Sequence, residues 1–195
     1  MTPSDVIEGR EPDLFPETIP PDDGLERDER YTPRETMEWV KRVAGVDAFD
    51  LDAAACEESH KAEEFYTRPR TKEEAGGLEL PWFGRSFVNP PFSDIGAWVG
   101  KAWAEFQRRD SKLDMVAMLI PCNRSEQGWW QELIEPYRDG KARKRLTYPS
   151  LTTHYLPGRT RFGHPGNPEG VGVGSPNFGC VLLVWKRHPS PGESR

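Results

Sequence analysis

The chain has 195 residues, of which 30% are charged and 35% hydrophobic, and a net charge of −6. That length suits a single domain with a substantial core, and no apolar run reaches the length of a membrane span. The N-terminus lacks the basic-then-apolar order of a signal peptide. Cys56, Cys122 and Cys180 are odd in number and far apart, which favours free thiols in a reducing cytoplasm over a disulfide frame or a zinc site.

The acidity is uneven. Residues 1–30 hold ten acids against three arginines, a net −7, which leaves +1 on residues 31–195. The first thirty residues, with the Pro-rich run "EPDLFPETIPPDDG", are therefore predicted to be an acidic, disordered leader. The nearly neutral body, residues 31–187, is read as one domain, and residues 188–195 as a flexible tail.

In chain order, the first predicted helix begins at "YTPRETMEWVKRVAG". Thr32 is the expected N-cap, Pro33 the first helical residue and Glu35 the partner in a capping box. Met37, Trp39, Val40 and Val43 supply an apolar side, and Gly45 ends the helix. "AFDLDAAA" reads as a strand running into small residues. "EESHKAEEFY" reads as a brief helix or turn, and "RSFVNPPF" as a second strand entering a turn. Ser93 is the expected cap of the next helix, in which Ile95, Trp98, Val99, Ala102 and Phe106 keep helical spacing. The unbroken apolar run "LDMVAMLIP" has the character of a central parallel strand. "SEQGWWQELIEPY" is another helix candidate, and "KARKRLTYP", "GRTRF" and "NFGCVLLVW" read as strands. Alternating strands and helices imply an α/β protein with a mostly parallel sheet. Ligands bind such sheets beyond the strand carboxyl ends, where both "DLDAAA" and "NPPF" fall.

The turn Asn89-Pro90-Pro91-Phe92 carries chemistry of its own. Two prolines make it stiff and leave carbonyls without matching N–H donors. The Asn89 side-chain oxygen adds another acceptor. Two fixed acceptors suit a nitrogen with two N–H bonds, such as the exocyclic amine of a base, and Phe92 offers a ring for that base to stack on, an interaction of roughly 1–3 kcal/mol. Accepting both N–H bonds favours a more pyramidal nitrogen with a localised lone pair. These contacts strengthen as positive charge develops on it. A Pro-Pro turn before a helix also serves structure alone; its position at a strand end favours a site.

The pieces "YTPRET", "FDLDAAA", "EFYT", "GGLELPW", "FVNPPFSDIGAWVGKA", "MLIPCNRSEQGWW", "LPGRTRF" and "SPNFGCVLLVW" follow one another in an order that resembles the phage-type, Dam-like DNA adenine-N6 methyltransferases. The resemblance covers roughly residues 31–185. It implies a single-domain, Rossmann-like methyltransferase fold with a C-terminal antiparallel strand, S-adenosylmethionine as cofactor, and double-stranded DNA as substrate, in a bacterial cell and from a phage or prophage. Asn89 and the Pro90 carbonyl would hold the adenine amino group, with Pro91 stiffening the turn and Phe92 stacking on the flipped base. Tyr31, Thr32 and Pro33 would meet the methionine end of the cofactor, Asp50 and Asp52 its ammonium or ribose hydroxyls, and Ala53 would allow close approach. Two departures stand out. "LDAAA" replaces the usual G-x-G, and Gly76-Gly77 precedes Leu78 where relatives often carry Asp or Asn, so that a polar contact to the cofactor's adenine is either lost or supplied by Glu74 or Glu79.

A base-modifying enzyme acting on a duplex needs a cationic surface for phosphates. The basic stretch 138–161 is the candidate, with Arg143, Lys144, Arg145, Arg159 and Arg161 as the DNA-binding set, and the loop 164–176 as a segment that could close over DNA. The four histidines lack ligand spacing, so no metal is expected. Arg124 is a candidate beside a strand end. Two other readings share these residues: transfer to another planar nitrogen (cytosine N4, RNA guanine N2, a glutamine amide), or a non-catalytic DNA-binding protein on a decayed methyltransferase fold.

Overall fold

The computed structural model describes residues 30–141, 149–171, 176 and 178–188. Most of the predicted leader, the basic residues Arg143, Lys144 and Arg145, and nearly all of the tail lie outside the described residues. The elements in chain order are α1 (Arg34–Ala44), β1 (Leu51–Ala55), β2 (Glu64–Thr67), β3 (Phe83–Val88), α2 (Ile95–Gln107), β4 (Lys112–Pro121), α3 (Gly128–Leu133), β5 (Ser150–Tyr155) and β6 (Cys180–Lys186). They form a mixed six-stranded sheet in the order β2-β1-β3-β4-β6-β5. The strands from β2 to β4 are parallel neighbours, and β6 runs antiparallel to both β4 and β5.

Side chains alternate between the two faces of a strand, and β4 and β6 show it directly. Val116, Met118, Ile120, Val181, Leu183 and Trp185 pack against α2 and α3 through Trp98, Val99, Trp103 and Trp130. Met115, Ala117, Leu119, Cys180, Leu182 and Val184 pack on the other face against Met37, Val40 and Ala44 of α1. The result is three layers with the sheet in the middle. The apolar run of β4 is explained by burial on both faces.

Several local expectations are corrected. Helix α1 starts at Arg34, not at Thr32–Pro33, because Pro33 is extended (φ −64°, ψ 157°) and forms the N-cap itself. No side chain caps this helix from the N-cap position; the Arg34 N–H instead donates to Glu169 at 3.1 Å. Gly45 closes the helix at φ 75°, a left-handed conformation that glycine adopts without steric cost. Helix α2 starts at Ile95 with Asp94, not Ser93, at its N-cap. The segment Glu64–Thr67, expected as helix or turn, is the edge strand β2. Residues 158–162, "GRTRF", are irregular rather than a strand. The strand before β6 is "SLTTHY", residues 150–155; of the expected strand "KARKRLTYP", residues 142–148 lie outside the described residues.

Candidate active site

Strands β1, β2 and β3 are parallel neighbours, so their carboxyl ends share one edge. A cleft of about 250 Å³ opens there, just below the size range of small-molecule sites, roughly 300–1,000 Å³. It brings together Tyr31, Thr32, Asp52, Ala53, Asn89 and Pro91 from the predicted site, with Tyr66, Gly77, Glu79 and Trp98 beside them.

Asn89 follows the last residue of β3, and its amide has a defined direction. Nδ2 donates to the Arg30 carbonyl oxygen at 2.5 Å. Oδ1 is buried and has no hydrogen-bond partner. A buried acceptor left without any partner costs about 1–3 kcal/mol, so most such atoms are paired with protein, water or ligand. The turn is closed by the Pro91 carbonyl, which accepts the Asp94 N–H at 3.2 Å. Pro90 is buried. Phe92 is half-buried and is not part of the cleft lining. Its ring meets Phe162 and Phe178 at 5.6 and 5.8 Å, with steep interplanar angles, and carries the Arg30 guanidinium at 5.0 Å. Asn89 thus lines the cleft, and Phe92, three residues on, belongs to an aromatic cluster.

The two carboxylates of "FDLDAAA" part company. Asp52 lies in the cleft, only 2% exposed. Its oxygens accept the Lys61 N–H at 2.9 Å and the Ala54 N–H at 3.4 Å. Burial outweighs these bonds and raises its pKa to about 7. Asp50 does not reach the cleft. It sits at the amino end of β1 and pairs with Arg85, Oδ2 to Nε and Oδ1 to Nη2, both at 2.8 Å. The hydrogen bonds from Arg85 hold its carboxyl below the usual range. A cofactor role for Asp50 is thus corrected to a cross-strand ion pair. Pro33 lies outside the cleft as well, on a neighbouring groove.

Where a G-x-G is absent, the close approach is made by other small residues. A Cβ on Gly77 would stand 1.9 Å from the Ala53 carbonyl oxygen and 2.8 Å from the Trp98 ring, so only glycine fits. The Gly77 carbonyl accepts the Trp82 indole N–H at 2.7 Å, which fixes the segment over β1. Glu79 lines the cleft and accepts the Gly76 N–H at 2.9 Å. Glu74 accepts the Arg70 N–H at 2.7 Å and is not part of the cleft lining. The Thr32 hydroxyl is a second buried, unpaired group in the cleft.

The predicted cationic surface is divided. Arg159 and Arg161 line a groove of about 860 Å³ with Arg42, Trp39 and Glu169. Arg138, from the same basic stretch, is committed to Glu135 at 2.8 Å and Asp139 at 2.7 Å. Lys141 also bonds Glu135, whose pKa falls to about 2 through the bonds from Arg138 and Lys141. Arg124 lines neither cavity, and its Nε is buried without a partner. Among the described residues no three His, Cys, Asp or Glu side chains are grouped to hold a metal ion, and no helix is long and apolar enough to cross a membrane.

A buried acceptor at a strand end thus stands beside a cleft in a mixed α/β sheet. The DNA N-6-adenine-methyltransferase (Dam) family model matches residues 23–142, more than half of the chain, and the protein belongs to that family. It is similar to a DNA N-6-adenine-methyltransferase of Escherichia phage T1, 32% identical over 109 residues. That match spans 54% of this chain and 40% of the relative, so less than two thirds of the relative is covered.

Residues outside the predicted set prove important. Arg30 was assigned to the leader by its charged neighbours, yet it contacts both Asn89 and Phe92. The Lys61 N–H contact on Asp52 had no sequence signal. Gly77 had one, the Gly-Gly pair that departs from the family pattern.

Proposed function

We propose that the protein transfers a methyl group from S-adenosylmethionine to N6 of an adenine flipped out of double-stranded DNA, on a Rossmann-like methyltransferase fold formed by one domain, residues 31–187. The observation that carries this reading is the buried, unpaired Oδ1 of Asn89, a residue that lines the cleft three positions before Phe92. The family membership supports the same substrate atom.

The cleft residues suit the cofactor. The buried Asp52 carboxylate is a natural partner for the ammonium of the methionine end, and a neighbouring cation would draw its pKa back down. The unpaired Thr32 hydroxyl would serve the same end, and Glu79 the ribose hydroxyls. When bound, S-adenosylmethionine supplies an electrophilic methyl group on a sulfonium sulfur.

Asn89 Oδ1 and the Pro90 carbonyl accept the two N–H bonds of the adenine amine and orient its lone pair. Because Arg30 holds Nδ2, the amide needs no rearrangement as charge develops, which is the condition for transition-state stabilisation by a fixed dipole. Phe92 carries the flipped base. The neutral amine would take the methyl group as its carbon–sulfur bond breaks, leaving S-adenosylhomocysteine, and the methylated nitrogen would then lose its proton to water, so no deprotonated base is required first. The groove with Arg42, Arg159 and Arg161 receives the phosphate backbone; Arg143, Lys144 and Arg145, which lie outside the described residues, are proposed as phosphate contacts from the sequence alone.

The test is incubation of purified protein with labelled S-adenosylmethionine and adenine-unmethylated duplex DNA, followed by nucleoside analysis. The expected product is N6-methyladenine.

A further inference from the structure

Arg30 occupies a position that the methyl-transfer reaction must share with its substrate. Its guanidinium carbon lies 5.0 Å from the centre of the Phe92 ring. Phe162 and Phe178 meet the same ring at 83° and 71°, so both are steep neighbours rather than stacked ones. Arg30 Nε is buried and has no hydrogen-bond partner. A buried donor left unpaired is costly, so the ring rather than this nitrogen holds the side chain in place. Two stacked contacts of roughly 3.5 Å each would separate guanidinium and ring by about 7 Å if a base lay between them. At 5.0 Å there is no room for one.

We infer that the Arg30 guanidinium is a stand-in for the target base, a flat cation that covers the stacking face of Phe92 until an adenine displaces it. This rests on the adenine reading of the site. A guanidinium is planar and stacks on aromatic faces much as a base does. A base gains binding from stacking on such a ring, and displacement frees the buried, unpaired Arg30 Nε to find a partner, so the exchange runs toward the base. The exchange leaves the catalytic amide alone, because Arg30 holds Asn89 through its main-chain carbonyl and only the side chain has to rotate. Once released, the guanidinium stands beside the flipped nucleotide, where a phosphate is its natural partner.

The experiment uses the full chain saturated with S-adenosylhomocysteine, so that the cleft is filled and no turnover occurs, and deoxyadenosine as the base probe. The Arg30 Nε–Hε signal in ¹⁵N-arginine NMR, identified by its absence in Arg30→Ala, is expected upfield under the Phe92 ring. Deoxyadenosine should move it to the ordinary arginine position. Arg30→Ala should bind deoxyadenosine roughly two- to thirtyfold more tightly, the equivalent of one partly desolvated cation–π contact removed. Deoxyadenosine binding that depends on Phe92 but leaves the Arg30 signal in place would overturn the stand-in and leave the adenine reading standing. No binding by either protein would overturn both. If the variant folds poorly, the Arg30 signal is assigned in the unmutated protein by through-bond correlation to its own backbone amide, and its response to deoxyadenosine decides the matter.

Discussion

The Asn89 amide donates to the Arg30 carbonyl through Nδ2, and this single bond leaves Oδ1 as a buried acceptor with nothing to accept from. The protein carries this cost in the absence of substrate. Asn89→Ala should lower the methylation rate by at least about 10²–10³-fold, the usual effect of removing one preorganised polar contact to a developing charge. Cofactor affinity should stay nearly unchanged. Single-turnover kinetics alongside calorimetry separate the two, and a near-normal rate would refute the role of the amide.

Asp52 should make cofactor binding depend on pH. Its pKa near 7 is raised, so the carboxyl binds its proton more tightly in the folded protein than in the unfolded chain. Affinity for the cofactor's ammonium should therefore fall as pH drops below about 7, and Asp52→Asn should abolish that dependence. The stability consequence has the opposite sense. Between about pH 4 and pH 7 the unfolded chain ionises this group while the folded protein resists, so its contribution grows more destabilising as pH rises. The stability difference between wild type and Asp52→Asn should shift toward the variant across that window in denaturant titrations.

Gly77→Ala tests the substitute for the missing G-x-G. Its Cβ would collide with the Ala53 carbonyl and the Trp98 ring. A loss of about 1–3 kcal/mol is expected from overpacking, together with weaker cofactor binding as the segment lifts off β1. Thermal unfolding and calorimetry measure the two effects.

Asp50→Asn should do little by comparison. The Asp50–Arg85 pair is about 40% exposed on both partners, and exposed pairs contribute about 0–1 kcal/mol. Cofactor affinity should be unaltered. A large loss of binding would return Asp50 to the site.

Arg159→Ala should weaken DNA binding similarly across sequences. The slope of log K against log salt should become shallower by about 0.9, the value of one phosphate contact. An unchanged slope would remove the groove from the DNA surface.

The central strands and the turn that ends β3 could be read in advance because their causes are local. β4 is apolar from Met115 to Pro121 because it is buried on both faces, and a Pro-Pro pair ends a strand whatever surrounds it. The misreadings came from causes that are not local. β2 and β5 are edge strands with polar or half-buried positions, which a hydrophobic pattern does not mark. Asp50 and Asp52 are two residues apart and looked equivalent. The register of β1 against β3 sets Asp50 beside Arg85, while Asp52 is buried in the cleft. Arg30 was grouped with an acidic leader by composition, although its contacts lie 59 and 62 residues further along the chain.

The most direct test of the central claim is nucleoside analysis of unmethylated duplex DNA after incubation with the protein and labelled S-adenosylmethionine. The account predicts label in N6-methyladenine, lost in Asn89→Ala. Label in N4-methylcytosine, or none in any nucleoside although the cofactor binds, would contradict it.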